Sequence, residues 1–209
     1  MVEGSRSATA KRLAREWSSV AGNPQWLFGY GSLVAQPLGR LTRAIHQDGF
    51  VADLHGYRRT WGVAMDNRID LPSYKYYVDP ISGERPPVHV AFLDIEPVAG
   101  GSVNGVCVPV TPDQLNSLDR RERQYDRIDV GAQLALLNGP VWVYVGSPEG
   151  RERRRAGDRA GATVVAREYW DGVLQGFTLL GEGERLAYET STSPCGCPVV
   201  ALSRLALPE

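Results

Sequence analysis

Residues 26–33 read Trp-Leu-Phe-Gly-Tyr-Gly-Ser-Leu, three large apolar strand formers that run straight into a glycine-bracketed turn. Trp26, Leu27 and Phe28 predict a strand that passes through a sheet core. Gly29 and Gly31 remove side chains where the chain leaves that strand, which permits a tight turn and close approach of a ligand to the backbone. Such a turn aims successive N–H groups at one point and makes a nest for a carboxylate or a developing oxyanion. A nest of amides holds an anion but carries no proton. Chemistry at this turn therefore needs a partner elsewhere in the chain.

Several classes of partner are disfavoured by composition. A net charge of −1 creates no global field for nucleic acid or an anionic membrane. Arg151, Arg153, Arg154, Arg155 and Arg159 form a basic run, but Glu149, Glu152 and Asp158 interleave it and no aromatic platform lies beside it. That run reads as a solvated charged loop. No apolar stretch approaches the roughly 20 residues that span a bilayer, and the first residues lack the apolar core of a secretory signal, so the expected location is cytoplasmic. Cys107 lies in the apolar run 106–110 and reads as a buried, inert thiol. Cys195 and Cys197 sit in Pro-Cys-Gly-Cys-Pro, but no second cysteine pair completes a zinc site and His46, His55 and His89 are scattered. A structural pair is the reading, with no metal and no cofactor.

Along the chain, residues 1–22 read as an N-terminal extension with a short amphipathic helix, since Leu13, Trp17 and Val20 fall at helical spacing. Residues 23–209 form the expected domain. Segment 50–65 reads as strand interrupted at Gly56, and 88–95 and 102–110 as two strands joined in a hairpin across Gly100-Gly101. Residues 66–87 read as a surface excursion with one edge strand. Strands are expected near 128–137 and 141–145 with Asn138-Gly139 turning between them, then a charged loop over 146–162. From Thr163 the pattern turns helical, with pieces at 168–180 and 184–190. This order predicts an α+β fold: a mixed, largely antiparallel sheet or small barrel flanked by helices.

The proton carrier is suggested by one helix. Thr111-Pro112-Asp113 supplies a capping hydroxyl, a proline at the first helical position and an acid in the first turn, and the helix is expected to run to about Arg123. At about 100° per residue, Leu115 and Leu118 set its apolar stripe and Glu122 falls on the same side. Arg120, Arg121 and Arg123 are expected to project toward solvent. An inward carboxylate costs several kcal/mol unless it is paired, hydrogen-bonded or protonated.

Taken together, these segments resemble the γ-glutamylcyclotransferase-like family. Phe28-Gly-Tyr-Gly-Ser-Leu33 looks like its substrate loop, and Gly105-Val-Cys-Val-Pro-Val followed by Leu115-Asn-Ser-Leu-Asp-Arg-Arg-Glu122 looks like the strand and helix that end in its catalytic glutamate. Leu54-His-Gly-Tyr-Arg-Arg-Thr-Trp61 and Val141-Trp-Val-Tyr-Val145 are similar to two further strands of the family, and the likeness covers about residues 25–190. The turn ends in Leu33 as in the glutathione-specific branch, whereas Glu122-Arg-Gln-Tyr125 lacks the glycine that follows the glutamate there.

The resemblance implies a cofactor-independent lyase or acyltransferase acting on a small-molecule L-γ-glutamyl amine, amino acid or peptide such as glutathione. The substrate's α-amine attacks its own γ-carbonyl, releasing 5-oxoproline and the amine. Glu122 would carry the proton, and the amides of Gly31, Ser32 and Leu33 would hold a carboxylate or the oxyanion. Phe28, Gly29, Tyr30 and Tyr144 would line the pocket, with Tyr125 as a further aromatic. The leaving-group side would come from 66–87 and 146–162. The alternative is a relative that binds such compounds without turning them over.

Overall fold

The computed structural model describes residues 25–35, 49–134 and 139–207. The N-terminal extension and Asn138 of the Asn138-Gly139 turn lie outside the described residues. Seven strands build the main sheet around the glycine turn. Strand β1 (Gln25–Gly29) leads into a single helical turn, α1 (Ser32–Ala35), and then come the long β2 (Phe50–Asp66) and the short β3 (Lys75–Val78). Strand β4 (His89–Val110) feeds helix α2 (Pro112–Arg121), after which β5 (Tyr125–Asp129) and β6 (Val141–Gly146) form an antiparallel pair. The chain finishes with α3 (Pro148–Arg159), β7 (Thr163–Ala166), α4 (Arg167–Leu180), α5 (Glu182–Ser191), β8 (Val199–Val200) and β9 (Ser203–Ala206).

The architecture is the expected α+β one, with a mixed and mostly antiparallel sheet. Its strand order is β5-β6-β1-β4-β7-β8, and β2 pairs with β4 off that path. Among the described residues the path does not close, so the arrangement is a branched sheet and not a small barrel. Strand β1 lies between β4 on one side, antiparallel, and β6 on the other, parallel. Trp26 and Phe28 enter one apolar cluster with Val173 and Phe177 of α4, while Leu27 enters another with Leu115 and Leu118 of α2. Burial on both faces is why this strand is apolar without alternation.

Four expectations are corrected. Gly100-Gly101 does not turn a hairpin: residues 89–110 are one continuous strand, antiparallel to β2 on both sides of the glycine pair. Gly56, at φ +83°, faces the excursion between Pro97 and Ser102, so both glycine sites belong to one irregularity inside a long ribbon. Residues 163–166 form a strand before the helices begin. The strand expected near 128–137 starts at Tyr125 and gives way to a 3-10 turn over Gly131–Leu134.

The charged loop expected over 146–162 is helix α3. Ser147 caps it by accepting from the Gly150 N–H at 3.0 Å, and Pro148 occupies the first turn. Its inner face carries glycine and arginine where leucine would be looked for. A Cβ on Gly150 would stand 2.5 Å from the Gln124 carbonyl oxygen, and one on Gly157 would stand 2.6 Å from His89 Cβ. Arg151 reaches fully buried Asp94 on β4 at 2.8 Å, and Arg154 donates to the Trp61 carbonyl at 2.8 Å. Outward-facing Arg155 and Arg159 both pair with Glu152.

The close approach of α3 to the sheet yields a prediction. In an exposed helix, Gly→Ala gains about 1 kcal/mol. Here Gly157→Ala is expected to destabilise the protein by about 1–3 kcal/mol through overpacking against His89 and Thr163. Denaturant unfolding measures the difference, and a net gain would contradict the packing described.

Candidate active site

The glycine turn is shaped by close approach. Strand β1 ends at Gly29, where an added Cβ would lie 2.8 Å from Leu33 Cβ, because α1 folds straight back over the strand end. A Cβ on Gly31 would meet Leu93 Cδ1 and the Tyr169 hydroxyl at 3.4 Å. Val34 N–H bonds the Gly31 carbonyl at 2.9 Å to close the turn. Ser32 and Leu33 thus sit in the first helical positions, whose N–H groups have no intrahelical acceptor.

Buried Arg59 holds this turn from behind. It is fully shielded from solvent, and its Nε donates to the Tyr30 carbonyl at 2.9 Å. Its remaining donors reach Ser191 Oγ at 2.9 Å, Thr192 Oγ1 at 3.1 Å and Asn104 Oδ1 at 3.2 Å, with a further bond to the Asn104 carbonyl. The Phe177 and Tyr188 rings lie 5.0 and 4.8 Å from the guanidinium carbon. Burial pulls the Arg59 pKa down to about 10, which leaves it cationic at neutral pH. Asn104 passes the network on by donating to Glu184 Oε2 at 3.1 Å. Sequence reasoning singled out the segment but missed Arg59 itself. Period-two alternation held the signal, because Tyr57, Arg59 and Trp61 share one strand face and all three are buried.

Helix α2 delivers the carboxylate. Thr111 and Gln114 form a reciprocal capping box, with the Thr111 N–H donating to Gln114 Oε1 at 2.8 Å. The helix ends at Arg121, two residues before the expected end. Glu122 is its C-cap, with φ −89° and ψ 49°, and still donates its N–H to the Leu118 carbonyl at 2.8 Å. The Glu122 side chain is 16% exposed and turns into a cavity at the end of the apolar stripe. Arg121 pairs with its Oε1 at 2.8 Å. Arg120, Arg121 and Arg123 line the same cavity, contrary to the expectation that they point away from it.

Two adjoining compartments meet at Glu122. The smaller, about 30 Å³, is lined by Phe28, Tyr30, Gly31, Ser32, Leu33 and Tyr144, together with Glu122 and Tyr125. The larger, about 420 Å³, has Tyr74, Lys75, Tyr77 and Phe92 along one wall and Arg204 and Ala206 of β9 at its edge. Ser32, Glu122, Tyr125 and Tyr169 line both. Of the predicted site residues, Gly29 alone is not on the wall of either; it sits behind the turn. The 66–87 segment contributes to the larger compartment as expected, whereas no residue of 146–162 does. The C-terminal strand β9 was not anticipated. It reaches the cavity by pairing with β3.

The tyrosines are committed elsewhere. Tyr30 donates its hydroxyl to the Tyr144 carbonyl at 2.7 Å, Tyr144 donates to Asp119 Oδ1 at 2.7 Å and Tyr125 donates to the Leu93 carbonyl at 2.7 Å. Burial, first among the causes, pushes all three phenols well above their ordinary pKa and keeps them neutral. They shape the pocket as walls. Cys195 and Cys197, with sulfurs 2.6 Å apart, line neither compartment, and Cys107 is a fully buried thiol with a raised pKa.

Lys75 is held at a pKa of about 8, chiefly by burial; the Glu122 carboxylate opposes the shift, while Arg204 and Arg121 add to it. The folded protein therefore binds this proton less tightly than the unfolded chain, at 10.5, and the strain of keeping the ammonium charged is present in full below about pH 8.

Two predictions arise from these environments. Lys75→Met is expected to stabilise the ligand-free protein at pH 7 by up to about 3 kcal/mol, with the gain fading as pH rises from about 8 to about 10.5. Denaturant melts of both proteins at the two ends of that range check it, and a pH-independent difference would contradict it. Arg59→Met is expected to cost about 3–5 kcal/mol, because it strips the Tyr30 carbonyl and Asn104 of a buried partner. The same melts measure it, and a cost below 1 kcal/mol would remove Arg59 as the turn's anchor.

No family model matches the chain, and no curated protein matches it. Solved structures do. YkqA from Bacillus subtilis aligns over 86% of this chain with a TM-score of 0.52 and 16% identity, and this chain spans 57% of the YkqA chain. A structure described as gamma-glutamyl cyclotransferase aligns over 85% of this chain and 94% of its own at TM-score 0.45 and 16% identity. The uncharacterized protein loc79017 from Homo sapiens aligns over 86% of this chain and 94% of its own at TM-score 0.46 and 16% identity. At that identity the likeness to YkqA shows a shared fold alone.

Proposed function

We propose that this chain is a γ-glutamylcyclotransferase-like enzyme that closes the glutamyl part of an L-γ-glutamyl compound into 5-oxoproline and expels the attached amine. The observation that carries the reading is that Glu122 and the Tyr30-Gly31-Ser32 turn line one small compartment, although they stand about ninety residues apart in sequence. Nucleophile and electrophile belong to the same substrate, so the protein's task is to hold a folded-back conformer, carry protons from the attacking to the leaving nitrogen and stabilise an oxyanion.

In this reading the Glu122 carboxylate accepts a proton from the α-ammonium. The freed amine attacks the γ-carbonyl carbon, and the negative charge that develops on the carbonyl oxygen faces the Ser32 and Leu33 amides. Glu122 returns that proton to the leaving nitrogen as the tetrahedral intermediate collapses and the γ-amide C–N bond breaks. The second proton of the attacking nitrogen then passes through the same carboxylate to the expelled amine, which departs as an ammonium. Tyr30, Tyr144 and Phe28 exclude water and fix the ring-closing geometry. No step draws on a metal or an organic cofactor.

Binding without turnover is the second reading. The observation that favours it is the Arg121 pairing, which occupies one of the two Glu122 oxygens in the ligand-free protein. Incubation with γ-glutamyl dipeptides, γ-glutamyl amines and glutathione, assayed for 5-oxoproline, separates the two. Release of 5-oxoproline is expected, and Glu122→Gln is expected to lower kcat by at least about 10²-fold with unchanged circular dichroism. Full turnover by Glu122→Gln would remove Glu122 as the proton carrier, and binding with no product would favour the second reading.

A further inference from the structure

The larger compartment has a charge pattern that proton transfer at Glu122 does not explain. Five cationic side chains, Lys75, Arg120, Arg121, Arg123 and Arg204, face two carboxylates, Glu122 and Glu168. Arg121 is the cation paired with Glu122. Among the described residues Lys75, Arg123 and Arg204 make no ion pair. Lys75 projects from β3 over the Phe92 ring, with Nζ 4.0 Å from its centroid and 5.6 Å from that of Tyr74. Arg123 lies over the Tyr74 ring, 5.6 Å from its centroid. Arg204 comes from β9, which is hydrogen-bonded to β3 with Tyr77 opposite Arg204.

A partly buried ammonium without a counter-ion is costly, and the protein accepts that cost at a position where a ligand would lie. Charge of this kind suits an anion that arrives with the substrate. Ser32, Glu122, Tyr125 and Tyr169 border both compartments, so a γ-glutamyl compound whose scissile bond lies beside Glu122 and the turn has the 420 Å³ space open to the group beyond that bond. Tyr74, Tyr77 and Phe92 give that space an aromatic wall, and Lys75 and Arg123 lie against its rings.

We propose that the compartment between α2 and the β3–β9 ribbon receives the leaving amine, and that Lys75, assisted by Arg204 and Arg123, selects amines bearing an anionic group. This assignment rests on the γ-glutamyl reading above and names its substrate class: γ-glutamyl conjugates of amino acids or peptides, in preference to those of neutral or cationic amines. Lys75 acts as a specificity residue. It takes no part in the proton transfer.

The test uses three compounds that share the γ-glutamyl group and differ in the amine: γ-glutamylglycine, γ-glutamylmethylamide and γ-glutamylethylenediamine. Calorimetry measures their binding to the Glu122→Gln protein at pH 7, where chemistry does not intervene, and 5-oxoproline release is measured separately with the native sequence. The expected result is binding of the glycine conjugate at least about tenfold tighter than the methylamide, with the cationic conjugate weakest. Adding Lys75→Gln is expected to narrow the glycine-to-methylamide ratio to threefold or less, and adding Arg204→Gln, at the exposed edge, to narrow it in the same direction. Equal binding of the three compounds, no binding of any, or an equal loss of all three in Lys75→Gln would overturn the proposal. The last outcome would place Lys75 on the glutamyl α-carboxylate instead. A charge preference that persists without 5-oxoproline release would overturn the catalytic reading while leaving this subsite standing.

Discussion

The grip of Arg59 on the Tyr30 carbonyl is the contact on which the rest of the site depends. A fully buried guanidinium is tolerated only when its donors are used, and here they tie together β2, the glycine turn, Asn104 on β4 and the end of α5. The Phe177 and Tyr188 rings cover it from α4 and α5. One side chain thereby joins the two closing helices to the turn that lines the cavity. The turn is rigid because it is held from behind, and that leaves its open side free for a ligand.

A second buried charge organises the opposite side of the sheet. Asp94 on β4 accepts from the Gly146 N–H at the end of β6 and pairs with Arg151 of α3. Leu93, its neighbour, has its peptide held between the Tyr125 and Tyr169 hydroxyls. The strand that forms the cavity floor is thus fixed on both sides by polar contacts. Around it, α2 brings Glu122, β1 brings the turn, and the β3–β9 ribbon brings Lys75 and Arg204. None of these elements forms the cavity alone.

Much of this was legible in the residues. The β1 strand, the capped start of α2, the position of Glu122 on the Leu115–Leu118 side and the closing helices all follow from local patterns of apolar spacing and capping. Helix α3 did not, because its inner face is built from Gly150, Arg151, Arg154 and Gly157, and an apolar-periodicity reading finds no stripe there. Yet Ser147-Pro148-Glu149 repeats the start signal of Thr111-Pro112-Asp113, and that signal was present to be read. Gly100-Gly101 misled in the opposite direction. Two glycines between apolar runs suggest a turn, but partnership with the continuous β2 keeps the chain extended past them.

Local sequence by itself determined where strands and helices begin and which residue types could supply an anion nest and a proton carrier. Those properties depend on neighbours within a turn or two of the chain. Only tertiary structure decided that Glu122 and the turn face one space, that Arg120, Arg121 and Arg123 border it, and that the last strand supplies Arg204. Each of these results from pairing between segments far apart in the chain, and a side chain's neighbours across a cavity leave no periodic trace in its own segment. The apolar strand and glycine turn could be recognised from eight residues; what the turn faces required the whole fold.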